Sequence, residues 1–194
     1  MTPSGLRDRV IEIVRQHGLR TFEEPVALAS GEMSREFIDG KAALARGKDL
    51  EVACRAMLEE VARRGIDFDA VGGLTMGADQ FAHVLAVLSG AQWFVVRKEP
   101  KGRGTNRLIE GAVLEPSTRV LLVDDVVTTG GSIEKAWLAV QDTPAAVVAV
   151  CTLVDRGEVA TDLFAERGVP YFSIVTYRDL GIPPIGRRNH APTT

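Results

Sequence analysis

The chain has 194 residues, 45% hydrophobic and 25% charged, enough for one domain with a real core. Lys and Arg number 23 against 26 Asp and Glu, a net charge of −3, which gives no generally basic surface for nucleic acid. Arg7 and Arg9 interrupt the N-terminal segment before any apolar h-region, and no apolar run nears the roughly 20 residues of a membrane span, so a soluble, cytoplasmic protein is expected.

In chain order, Leu6, Val10, Ile13 and Val14 share a helical face over residues 4–17, with Ser4 as N-cap and His17-Gly18 as the stop. Residues 25–29 and 36–39 are short extended segments about a turn at Ser30-Gly31. Leu50, Ala53, Met57, Leu58 and Val61 predict an amphipathic helix over 49–64, closed by Gly65. Residues 69–71 then lead into a glycine-rich turn, 72–79, followed by a helix over about 80–88. A strand over 93–96 opens into a loop, 97–107, in which five cations lie among glycines and a proline. Residues 119–123 read as a strand buried on both faces. That strand runs into Asp124-Asp125 and the turn Thr128-Thr129-Gly130-Gly131-Ser132. Ile133, Ala136, Trp137 and Val140 continue as one helix face. A strand over 146–154 ends at Asp155-Arg156-Gly157, a helix follows over 159–167, and a strand over 171–175 completes the set. The tail over 183–190 is irregular.

Strands alternating with helices through short turns predict an α/β fold, a mainly parallel central sheet flanked by helices. In such a sheet the C-terminal strand ends share one edge, where ligands bind. The turns after Gly72, Arg97, Asp124 and Asp155 therefore face one another. Turn amides and hydroxyls at a helix N-terminus favour an anion, and two carboxylates beside them suit sugar hydroxyls or a hydrated metal. The expected ligand is a sugar phosphate. The glycine-rich turn at 72–79 reads either as a tight connection or, facing the first cradle, as a second one for phosphates. The cationic loop is either a solvated charge run or a lid that closes on an anion. Arg156 has the fork geometry to hold a carboxylate. Neither a P-loop nor a dinucleotide fingerprint is present. His17, His83 and His190 are scattered, and Cys54 and Cys151 form no zinc or redox motif. Both cysteines are expected as buried thiols.

Residues 120–132 resemble the phosphoribosyl-pyrophosphate signature of the type I phosphoribosyltransferases. Leu28-Ala29-Ser30-Gly31, Ser34, Phe37 and Asp39, then Gly72 to Asp79, Arg97-Lys98 with Lys101, and Leu153 to Arg156 are similar in order and spacing to the orotate phosphoribosyltransferases, from about residue 10 to 180. The resemblance implies that family's fold as a single domain over 1–194, with a small N-terminal hood over about 20–45 and a mobile loop over about 98–110. It implies a Mg²⁺-dependent transfer of the phosphoribosyl group to orotate, giving orotidine 5′-monophosphate and diphosphate, in a homodimer with shared active sites. Asp124 and Asp125 would face the ribose hydroxyls, with Mg²⁺ held mainly by the substrate. Thr128, Thr129, Gly130, Gly131 and Ser132 would hold the 5′-phosphate, and Thr75, Met76 and Gly77 would lie along the diphosphate. Arg97, Lys98 and Lys101 match the family's basic positions, with the loop lysine reaching a neighbouring subunit's site and Arg103 standing where a histidine is usual. Phe37 and Arg156 would form the orotate pocket. Ala29 and Glu36 also depart from the family's pattern, so the departures gather where the acceptor base is recognised. Another nucleobase as acceptor, or a non-catalytic phosphoribosyl-pyrophosphate-binding regulator, are the alternative readings. No helix-turn-helix segment fits this chain, and Lys101 and Arg156 favour an enzyme.

Overall fold

The computed structural model describes residues 3–28, 31–99 and 108–186. The chain opens with α1 (Pro3–Ile13), a π-helical turn over Val14–Gly18, and the strands β1 (Leu19–Ala27) and β2 (Met33–Ile38), which pair antiparallel as a separate two-stranded sheet. Both strands outrun the extended segments expected from sequence, because β1 is polar and exposed along most of its length and shows no apolar alternation. A short helix, α2 (Gly40–Ala43), capped by the Asp39 side chain, joins this hairpin to α3 (Gly47–Arg63).

β3 (Ala70–Leu74), α4 (Asp79–Ser89), β4 (Gln92–Val96), β5 (Ile109–Gly111), β6 (Arg119–Val127), α5 (Gly131–Gln141), β7 (Ala146–Asp155), α6 (Val159–Ala165), β8 (Tyr171–Thr176) and α7 (Tyr177–Leu180) follow. The central sheet has the order β5-β4-β3-β6-β7-β8 and is parallel except for β5, which runs against β4. This is the expected α/β architecture. β5 interrupts the end of the loop expected over 98–110, and residues 100–107 of that loop lie outside the described residues.

The sheet separates two cores. Leu121 and Val123 of β6 pack with residues of α1, α3 and α4, whereas Val120 and Leu122 pack with residues of α5 and α6. That alternation is why the strand reads as a continuous apolar run. It slips by one at the acid pair: Val126 returns to the first core and Val127 to the second. The amides of Asp125 and Val126 there bond the carboxylates of Asp124 and Asp125, at 2.9 and 2.8 Å. Cys54 and Cys151 are free, buried thiols of the first core.

Two boundaries differ from the sequence reading. Gly72 and Gly73 are strand residues, since a Cβ on either would lie 2.3 Å from the Phe94 carbonyl oxygen or 2.2 Å from that of Val123. The turn begins only at Thr75. β6 likewise continues through Asp124 and Asp125 to Val127, because β7 pairs with it as far as Val127↔Asp155.

Candidate active site

The ends of β3, β6 and β7 meet at one edge of the sheet and, with β2 and α2, enclose a cavity of about 330 Å³. Ten of the residues predicted from sequence line it: Phe37, Thr75, Met76, Gly77, Lys98, Asp124, Asp125, Thr128, Ser132 and Arg156. A cavity of about 460 Å³ against β5 and α5, walled by Leu108, Ile109, Val113 and Leu114, contains none of them and has one carboxylate, Asp142. The chemistry therefore points to the first.

Asp124 is 3% exposed. Burial, and next the neighbouring Asp125, push its carboxyl above the ordinary range. Gly77 packs directly on the pair: a Cβ there would stand 2.2 Å from Asp124 Oδ1 and 2.9 Å from Asp125 Oδ1. The Thr75 hydroxyl donates to Asp79 Oδ2 at 2.7 Å, which ties the β3 turn to the first turn of α4. On the other side of the pair, Gly130 takes a left-handed conformation, φ 82°, to start α5. The first helical bond is Glu134 N–H to the Gly130 carbonyl, so the amides just before it face the turn without an intrahelical acceptor. Thr129, Gly130 and Gly131 build this turn without themselves lining the cavity.

Arg156 is 1% exposed. Its Nη1 donates to the Glu36 carbonyl at 3.0 Å, whereas Nε and Nη2 have no partner. Burial lowers its pKa, and a buried guanidinium with two vacant donors is costly until an anion arrives. The Glu36 carboxylate accepts from Ser34 Oγ at 3.1 Å and is not part of the cavity wall.

The Phosphoribosyl transferase domain model matches residues 41–163. The orotate phosphoribosyltransferase of Aquifex aeolicus is 37% identical over 180 residues, covering 90% of this chain and 97% of that protein. The solved orotate phosphoribosyltransferase of Mycobacterium tuberculosis H37Rv in complex with 5-phospho-α-D-ribosyl 1-diphosphate superposes with a TM-score of 0.75 at 35% identity, covering 91% and 99% of the two chains. The chain belongs to the phosphoribosyltransferase family. Relatives at this level of similarity include the orotate phosphoribosyltransferases of Pyrococcus abyssi and Bradyrhizobium diazoefficiens, 33% and 37% identical, as the resemblance in the sequence implied.

Within this phosphoribosyltransferase, one predicted residue is turned elsewhere. Arg97 pairs with Glu110 Oε1 at 3.0 Å and does not line the cavity, because β5 brings that carboxylate beside the end of β4. Lys101, Arg103 and Ala29 lie outside the described residues. Sequence reasoning missed Lys41, whose Nζ donates to Asp125 Oδ2 at 2.7 Å from the cavity wall. The only local signal was a cation after Asp39-Gly40, a capping residue and a glycine at the end of a strand.

Proposed function

We propose that this phosphoribosyltransferase transfers the phosphoribosyl group of phosphoribosyl pyrophosphate to orotate, giving orotidine 5′-monophosphate and diphosphate in pyrimidine synthesis. Arg156 carries the reading: a buried guanidinium with two unpartnered donors shares a cavity with an acid pair and a phosphate-sized turn. An acceptor base bearing a carboxylate satisfies those donors with a charge-assisted pair. Phe37, 36% exposed beside it, offers a face for the base. Asp124 and Asp125 accept from the ribose hydroxyls, and Thr128, Thr129, Gly130, Gly131 and Ser132 hold the 5′-phosphate. Thr75, Met76 and Gly77 lie along the diphosphate, with Lys98 nearby.

Displacement at the anomeric carbon passes through a cation-like sugar while charge grows on the leaving diphosphate. The protein's contribution is thus electrostatic, and no nucleophile is needed. Lys101 and Arg103, with Arg97 once released from Glu110, supply positive charge to the diphosphate, Lys101 in a neighbouring subunit's site.

Mg²⁺ suits the donor set. The described residues gather no metal-ligating cluster of three or more His, Cys, Asp or Glu, and Mg²⁺ is commonly held by one or two carboxylates, waters and substrate phosphates. Asp124 and Asp125 would hold its hydrated form, and the chemistry it would supply there is neutralisation of the diphosphate charge.

A homodimer is supported by an apolar face. Val87 is 84% and Trp93 43% exposed, and His83, one turn before Val87, meets the Trp93 ring edge-on at 4.6 Å. Met76, 65% exposed, lies in the turn that precedes this helix. No described helix is long and apolar enough to cross a membrane.

The test is loss of orotate absorbance with phosphoribosyl pyrophosphate and Mg²⁺. Turnover is expected, with Arg156→Met raising the orotate KM about 10- to 100-fold, the scale of a charge-assisted hydrogen bond. Phosphoribosyl-pyrophosphate affinity should stay within about threefold. A wild-type protein that consumes another base and not orotate would refute the reading.

A further inference from the structure

Lys41 is delivered by a segment built to approach the acid pair closely. Asp39 caps α2 by accepting from the Ala42 amide at 2.9 Å. Gly40 then sits so near β6 that a Cβ on it would lie 3.0 Å from Asp125 Cβ and 3.3 Å from Val126 Cγ2. Only the next residue, Lys41, can reach back, and its ammonium meets Asp125 Oδ2 at 2.7 Å. The other oxygen, Oδ1, accepts the Val126 amide at 2.8 Å. Both oxygens of Asp125 are thus held, which fixes the rotation of its carboxylate.

The charges of the cavity wall make this contact more than a surface ion pair. Asp39, Asp124 and Asp125 line it together with Lys41, Lys98 and Arg156. Among the described residues, Lys41 is the cation that ion-pairs with the acid pair, while Arg156 is bonded to the Glu36 carbonyl. The Lys41 side chain is 48% exposed and that of Asp125 13%, so the pair sits at the cavity mouth, where a ligand arrives. An exposed ion pair of this kind contributes little to folding, whereas fixing a ligand-binding group in its bound orientation contributes to affinity.

We propose that Lys41 is a positioning residue for phosphoribosyl pyrophosphate: it holds the Asp125 carboxylate in the orientation that receives the ribose hydroxyls, so the segment following the N-terminal hairpin serves the sugar half of the site. The inference rests on the function proposed above.

Calorimetric titration of the whole chain with phosphoribosyl pyrophosphate and Mg²⁺ tests it. Lys41→Met is expected to weaken binding about 10-fold or more and Lys41→Arg to restore it to within about threefold. The orotate KM should stay within about twofold, and the melting temperature within about 3 °C. In an Asp125→Asn background, Lys41→Met should cost less than about twofold further, because its effect passes through Asp125. Native affinity in Lys41→Met overturns the inference, and so does an equal loss in the Asp125→Asn background, which would mean that Lys41 acts on the ligand directly. A wild-type protein that takes up no phosphoribosyl pyrophosphate overturns the functional reading and this inference with it.

Discussion

Asp124 combines near-complete burial with a second carboxylate one residue away, and both push its protonation upward. The folded chain therefore keeps a proton that the unfolded chain releases near the ordinary carboxylate range, so this group's contribution to stability falls as pH rises from that range to about 8. Asp124→Asn removes the penalty and keeps an oxygen to accept from the Asp125 amide. Its melting temperature should exceed that of the parent by about 4–8 °C at pH 8, on the order of 2 kcal/mol, with a smaller gain at pH 4.5. Sugar-diphosphate binding should weaken. Equal gains at both pH values in scanning calorimetry would contradict this account. Asp124, Asp125 and Arg156 were legible in sequence because each follows an apolar strand directly, where α/β sheets place their ligands. Lys41 was not, because its partner is 84 residues away and no local pattern reports such a contact. The rotation of Arg97 toward Glu110 was hidden for the same reason.

At the level of elements, the β3 turn depends on Gly77 having no side chain. Gly77→Ala would set a methyl carbon 2.2 Å from Asp124 Oδ1, forcing the turn and the acid pair apart. Overpacking of this kind costs about 1–3 kcal/mol, and the melting temperature should fall by about 3–8 °C, with sugar-diphosphate affinity falling in parallel. Unchanged thermal unfolding and unchanged calorimetric titration would show that the turn yields freely. The order of strands and helices was readable throughout; their ends were less so. Glycine is a poor strand former, yet Gly72 and Gly73 belong to β3 because the neighbouring backbones leave no room for a Cβ. Hydropathy stops at Val123, but the pairing of β7 carries β6 onward. β5, three residues long, offers too little pattern to recognise.

At the scale of the whole molecule, the exposed Val87–Trp93 face is where a second copy is expected. In sedimentation the protein should run at twice its 20.9 kDa chain mass, and Val87→Glu should run as a single chain with native circular dichroism and little turnover. A variant that sediments as the parent does would place the contact elsewhere. The slip in β6 reaches further. Neighbouring strand residues normally point to opposite faces, so two consecutive carboxylates can converge beside Gly77 only where the strand loses step with itself. Everything after that point, including the Thr128–Ser132 turn and the start of α5, inherits the new phase. Moving the acids one place along the chain would turn their carboxylates toward other faces and away from Gly77. Acid pair, turn and helix start therefore act as one geometric unit, and a residue inserted between Asp125 and Thr128 should shift the turn relative to the pair and weaken sugar-diphosphate binding in calorimetry.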